Sequence, residues 1–191
     1  HILSGSLDAV SEHLESRSEA EQIAGVCHGK DAMVTNVERE KKTIAPPKLY
    51  DLTTLPREAN RLFGFTAKQT LEYAQSLYEN KLLTYPRTDS QYLTDDMADT
   101  AKGMIDILCN VMPFGPGRSY TPAVGRILNS KKVSDHHAII PTAEIAKLDT
   151  DSLSAEEWNI LFLVANRLLC ATAPMHQYTS VKAAINCGGY L

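Results

Sequence analysis

Apolar positions recur along this chain with two different periods, and the changes of period mark its elements. Ile23, Val26 and Cys27 fall at helical spacing. Ser18-Glu19-Ala20-Glu21 before them reads as a capping box with Ser18 as N-cap, and Gly29 as the stop. Residues 1–30 are thus expected to be helix-rich. From Met33 to Ile44 the period shortens to that of a strand with a polar second half, ended by Ala45-Pro46-Pro47, because proline cannot extend a ladder. Thr53 or Thr54 then caps a helix with Pro56 in its first turn and Leu55, Ala59, Leu62 and Phe63 on its inner face. Gly64 breaks it. Thr66 caps the next, with Leu71, Ala74, Leu77 and Tyr78 inward, and a short strand through Tyr85 follows.

Thr94-Asp95-Asp96 opens a further helix with acids at its positive end, facing inward through Met97, Ala101, Met104, Ile105 and Leu108. Pro113 to Pro122 is a proline- and glycine-rich loop, in which Arg118 and Tyr120 are better read as solvated surface than as nucleic-acid contacts. The last helix starts at the capping box Ser154-Ala155-Glu156-Glu157 and carries the stripe Trp158, Leu161, Phe162, Ala165, Leu168 and Leu169. Pro174 follows it, Tyr178 to Ile185 alternates as a strand, and Asn186-Cys187-Gly188-Gly189 reads as a hairpin turn. The chain ends before a returning strand, so it is expected to be part of a longer protein. The fold class expected is α+β: a mainly helical domain containing a helix-turn-helix or winged-helix-like part, plus a small strand-rich portion.

Composition narrows this only a little. At 191 residues, with 43% hydrophobic and 22% charged positions, the chain can bury a core as one domain or two small ones. No apolar run approaches the roughly 18 residues of a membrane span, and residues 1–8 lack the features of a signal peptide. Cys27, Cys109, Cys170 and Cys187 are far apart without CxxC spacing, which favours reduced cytoplasmic thiols over zinc or a disulfide. A net charge of −4 counts against strong autonomous DNA binding.

Candidate chemistry concentrates in Lys81-Leu82-Leu83-Thr84-Tyr85-Pro86-Arg87-Thr88-Asp89-Ser90. A phenol that attacks phosphorus needs a nearby cation, and Arg87 qualifies because alternate residues of an extended segment point the same way. Tyr85, Arg87 and Asp89 would share one side, and Thr84, Thr88 and Ser90 offer hydroxyls to a phosphate backbone. Most tyrosines ending an apolar run are packing residues, so on chemistry alone a structural strand and turn is the stronger reading. Downstream lies Ser134-Asp135-His136-His137-Ala138-Ile139-Ile140-Pro141-Thr142. Adjacent histidines diverge on any regular backbone, so one imidazole is expected to face a site and the other to be structural.

Together these two stretches carry a resemblance. Leu83 to Ser90 resembles the active-site signature of type IA DNA topoisomerases, in the Tyr-Pro-Arg form of the topoisomerase III branch. His136-His137-Ala138-Ile139-Ile140-Pro141-Thr142 resembles the family's His-x-Ala-Ile-x-Pro-Ser/Thr motif, with His136 at the active-site histidine and His137 at the variable position. The resemblance implies that Tyr85 is a nucleophile forming a 5′-phosphotyrosine, with Arg87 and His136 as further catalytic residues. Thr88, Asp89, Ser90, Lys68 and Arg57 are candidate DNA contacts, although surface solubility explains Arg57, Arg61 and Lys68 equally well.

By analogy, 48–173 is a movable gate domain, and 1–47 and 174–191 are parts of a strand-rich hinge domain. The family's magnesium site, a glutamate with an Asp-x-Asp-x-Asp run, lies in a separate domain. No such run occurs here, since Asp149-Thr150-Asp151 is explained by a loop and a helix dipole. The piece alone is therefore expected to be inactive. The implied partners are single-stranded DNA and a helicase or single-strand-binding protein, without a membrane, in the cytoplasm. Two readings from other classes stand beside this one: a non-catalytic helix-turn-helix nucleic-acid-binding module, and a structural or partner-binding helical domain.

Overall fold

The computed structural model describes residues 16–113, 121–149 and 152–190. Residues 1–15, Arg118, Tyr120 and Asp151 of the sequence reading lie outside these. The chain is α+β and forms two compact units, one from 1–43 with 177–191 and the other from 44–176.

The first unit contains α1 (Arg17–Cys27), β1 (Ala32–Ile44) and β2 (His176–Cys187), apart from the strand residues at its boundary. β1 and β2 pair as a two-stranded antiparallel ribbon. Its cap differs from expectation: Ser16, not Ser18, is the N-cap of α1, and its hydroxyl accepts from the Glu19 N–H at 3.2 Å. Both serines stand three residues before a glutamate, and the first of them wins. β1 is exposed at every position but one.

The second unit contains α2 (Thr54–Phe63), α3 (Ala67–Glu79), α4 (Ala98–Val111) and α5 (Ala155–Thr172). α5 is its axis and packs against α2, α3 and α4. Leu161, Ala165 and Leu168 of the expected stripe are buried, Trp158, Phe162 and Leu169 are only partly so, and Ile160, Leu163, Val164 and Ala171 are buried beside them. Its N-terminus is closed by the Ser154–Glu157 capping box, and Glu157 also accepts from Ser76 Oγ of α3 at 2.5 Å. That serine bond, with those from Ser154, outweighs burial and holds the Glu157 carboxyl below its usual range.

α2 and α3 form a helix-turn-helix pair. Gly64 ends α2 in the left-handed conformation (φ 72°), and Thr66 and Gln69 complete a capping box on α3. Leu62 was expected inside and is 47% exposed, because Leu55, Pro56 and Ala59 already define the buried face. The start of α2 is organised by a residue the sequence reading passed over. Asp51 Oδ1 accepts from the Thr53 N–H at 2.9 Å, the Thr54 N–H at 2.7 Å, and both threonine hydroxyls at 2.8 Å. Burial pushes its pKa up, but these bonds outweigh it and hold the carboxyl below its usual range. Thr53, at the N-cap position, makes no side-chain cap bond.

Asp51→Ala should cost about 1–3 kcal/mol in urea denaturation at pH 7, since it strands donors at a helix start. Because the native pKa values of Asp51 and Glu157 lie below their unfolded values of about 4, both carboxylates stabilise the fold fully above that pH. Their contribution is lost as pH falls through the native values. Asp51→Asn should therefore flatten the acid limb of a stability–pH curve measured between neutral pH and pH 2.

Candidate active site

The segment leaving α3 turns at Lys81, whose φ of 61° is left-handed without being glycine. The Lys81 carbonyl accepts a hydrogen bond from Thr142 Oγ1, which brings the two motif stretches together at this corner. From there the chain runs beside residues 138–142. The Leu83–Pro141 pair is an antiparallel bridge, the Thr142 N–H donates to Leu82 O at 3.0 Å, and the Thr84 N–H donates to Ile140 O at 2.9 Å. Thr84 Oγ1 accepts from the Ile140 N–H at 3.0 Å and donates to Ala138 O at 3.2 Å. The expected strand through Tyr85 is thus a single bridge flanked by hydroxyl bonds. Pro86 and Pro141 have no N–H to extend it.

The alternation nevertheless survives. Pro86, Thr88 and Ser90 are buried, whereas Arg87 and Asp89 are exposed and Tyr85 is half-exposed. Two of the candidate DNA contacts thus lie on the inner face. Thr88 is 2% exposed and Ser90 3%, and their hydroxyls are bonded inward. Thr88 Oγ1 donates to His136 O at 2.8 Å and accepts from the Ser90 N–H at 3.1 Å. Ser90 Oγ contacts Lys132 O at 2.9 Å and Tyr92 O at 3.2 Å. In this structure they hold the neighbouring loop.

That loop delivers His136 to Tyr85. The two ring centroids are 4.4 Å apart with planes inclined at 46°. Tyr78 of α3 also packs edge-on against Tyr85, with centroids 5.5 Å apart at 74°. Tyr78 was assigned to the inner face of α3; it is 40% exposed and forms a wall of the site instead. His137 turns away, with Nδ1 2.8 Å from Ala138 O; since a carbonyl only accepts, that nitrogen carries the proton. Arg87 is exposed to solvent.

Asp89 Oδ1 accepts from Ser134 Oγ at 3.2 Å, joining the two loops a second time. Asp89, Lys131, Lys132, Val133 and Ser134 line an open polar depression of about 320 Å³. Lys132 Nζ lies 4.9 Å from the Tyr92 ring centroid. The sequence reading did not single out this lysine pair, although two adjacent lysines just before the histidine motif were the available signal. Lys68 is not brought to the site. It stands near the start of α3, about 15 Å along the helix axis from Tyr78, and its ammonium lies 3.8 Å from Glu72. Arg57 is exposed on the first turn of α2, whose approach is fixed by the bond from the Leu52 N–H to Thr88 O at 2.8 Å. Arg61 pairs with Glu58 at 2.8 Å. Among the described residues, no group of three or more His, Cys, Asp or Glu stands together as metal ligands, and no helix is long and apolar enough to cross a membrane.

Comparison with known proteins gives the family to which this chain belongs. The family model for DNA topoisomerase matches residues 5–190. The chain is 41% identical over 180 residues to a protein named DNA topoisomerase 3 from Bacillus licheniformis, a match covering 88% of this chain and 24% of that protein. It is 39% identical over 191 residues to DNA topoisomerase 3 from Staphylococcus haemolyticus, covering 97% of this chain and 26% of that one. The crystal structure of full-length topoisomerase I from Thermotoga maritima has the same fold, with a TM-score of 0.62 at 23% identity, over 94% of this chain and 29% of that one. The chain belongs to the type IA DNA topoisomerase family. It spans about a quarter of the length of these curated relatives.

The placement of His136 should depend on Thr88. Thr88→Val removes a buried hydroxyl bonded at both ends, at a cost of about 1–3 kcal/mol. Nuclear Overhauser contacts between the Tyr85 and His136 rings should weaken in that variant and persist in Ser134→Ala.

Proposed function

We propose that this chain supplies the strand-cleaving tyrosine of a type IA topoisomerase, and that Tyr85 Oη attacks a backbone phosphorus of one DNA strand. The bond to the 3′-oxygen breaks, that oxygen leaves as a hydroxyl, and the 5′-phosphate becomes joined to Tyr85. One phosphate ester replaces another, so rejoining by the reverse attack needs no ATP. The observation that carries this reading is the meeting of Tyr85 with His136 across two motifs far apart in sequence.

Arg87, a planar cation free to meet phosphate oxygens, stabilises the charge of the pentacoordinate state. His136 contacts the same phosphate and passes a proton at the tyrosine or leaving oxygen. Tyr78 restricts the Tyr85 ring to the orientation that presents its hydroxyl. Asp89 orients Ser134 and the lysine loop. Lys131 and Lys132, with Arg57, take neighbouring phosphates of the single strand.

Magnesium, which the family implies, has no ligand set among the described residues and enters no step here. In the intact protein the 44–176 unit acts as the moving gate and the strands of the other unit as its hinge, so that a second strand passes while the first is held. The chain alone is inactive for strand passage. Its substrate places the protein with the chromosome in the cytoplasm, beside helicases and single-strand-binding proteins.

The test uses the intact protein with magnesium and a single-stranded oligonucleotide labelled at its 3′ end, read on a denaturing gel. Wild type should retain the label, and Tyr85→Phe should lose it entirely while binding the oligonucleotide within about twofold. A Tyr85→Phe protein that still forms the adduct would remove Tyr85 from this role. If neither 3′- nor 5′-labelled strands stay bound to wild type, the non-catalytic nucleic-acid-binding module becomes the better account. In the same protein, Lys131→Ala and Lys132→Ala together should flatten the dependence of log affinity on log salt by about 0.7 per lost phosphate contact. An unchanged slope would exclude the lysine pair from the strand's path.

A further inference from the structure

Cys27 and Cys187 are separated by 160 residues, yet the fold sets them against each other within the ribbon-containing unit. Cys27 is the last residue of α1, and Cys187 the last of β2. Cys27 Sγ donates to Cys187 O at 3.3 Å, and Cys187 Sγ reaches Cys27 O at 3.7 Å and Lys30 O at 4.0 Å. The contact is reciprocal, so each thiol lies over the other's backbone. Gly188 reports the same closeness independently. A Cβ placed there would stand 2.8 Å from Val26 Cγ1 and 3.0 Å from Val26 O, and its φ of 61° favours glycine. The end of the strand and the end of the helix are therefore in backbone contact. Burial, together with the Cys187 thiol, pushes the Cys27 thiol above its usual range. Both cysteines are free and part-exposed, so a small reagent can reach them.

We infer that Cys27 and Cys187 form a dithiol modification site that closes to a disulfide by exchange with a small-molecule disulfide such as oxidised glutathione. One cysteine, as thiolate, attacks a sulfur of the small disulfide and releases one small thiol. The other cysteine gives up its proton and attacks the protein sulfur of this mixed disulfide, releasing the second small thiol. The two protein thiols are oxidised, one small disulfide is reduced to two thiols, and the two protons pass to the released thiolates. Cys109 on α4 and Cys170 on α5 lie in the other unit and serve as internal controls. The bond joins α1 to β2, where the ribbon offers little packing of its own, since β1 is exposed along nearly its whole length. It also closes a covalent loop of chain that includes residues 44–176.

The test incubates the intact native protein with oxidised glutathione, alkylates remaining thiols, and maps peptides by mass spectrometry without reduction. The Cys27 and Cys187 peptides should appear joined, with at least tenfold higher yield than after the same treatment in 6 M guanidinium. Cys27→Ser and Cys187→Ser should each abolish the joined peptide and leave the remaining partner carrying one glutathione. Single glutathione adducts at both positions in wild type, without joining, would overturn the inference. Equal joining in denaturant would overturn it as well, because the fold would then contribute nothing. Thiols that resist both reactions in the native protein while reacting in denaturant would also defeat it, since the site would be closed to reagents.

Discussion

Two threonine hydroxyls hold the tyrosine and histidine stretches in register, and the site's geometry depends on them. Thr84 bonds to Ala138 and Ile140 on one side of Tyr85, and Thr88 bonds to the His136 carbonyl on the other. Next to Thr84 the backbone contributes one bridge, Leu83–Pro141, and no ladder. Backbone pairing alone would leave this junction loose, because the prolines beside it lack the donors that a sheet requires. Side-chain hydroxyls replace the missing donors, and being short they allow little play. Burial strengthens the arrangement, since a buried hydroxyl deprived of its partner costs more than the bond itself contributes. His136 is thus fixed by its backbone while its imidazole stays exposed and free to work.

The helical unit beneath supplies the rigidity on which this junction rests. α5 is buried around most of its circumference and meets three other helices. Tyr50 extends that core toward the histidine motif. It accepts the Ile139 N–H through its carbonyl, and its hydroxyl receives Arg167 of α5 at 2.7 Å. Burial pushes the Tyr50 phenol up, opposed by that arginine, so it stays a neutral structural group. Tyr50 and Tyr85 thus show two uses of one residue type: one is 2% exposed and bonded into the core, the other stands at an edge beside a histidine.

Much of this was legible in sequence where a local rule governs it. The caps at Thr66 and Ser154, the stop at Gly64 and the buried face of α4 follow from residues within one or two turns. Alternation through Tyr85, Arg87 and Asp89 was equally readable, and followed strictly it would have placed Thr88 and Ser90 on the inner face. What remained hidden is non-local. Asp51 caps α2 from outside the expected N-cap position, Tyr78 is turned to Tyr85 rather than to the core, and Cys27 meets Cys187 only through the chain's long return. Spacing in sequence carries no record of such contacts.

The prolines at the junction have a consequence for how the protein behaves in a crowded solution. A sheet edge invites pairing with other chains, and the Leu83–Pro141 bridge would offer such an edge if it grew. Pro141 has no N–H to offer on its outer side and the Leu83 N–H already donates to Leu77 O, so the bridge holds no spare donor for a third strand. The rim around Tyr85 can therefore stay open to solvent without becoming a template for aggregation. β1 meets the same hazard differently. Met33, Val34 and Val37 are exposed in its first half, but Glu38-Arg39-Glu40-Lys41-Lys42 fills the second with charge of both signs, which discourages a foreign strand from settling along it.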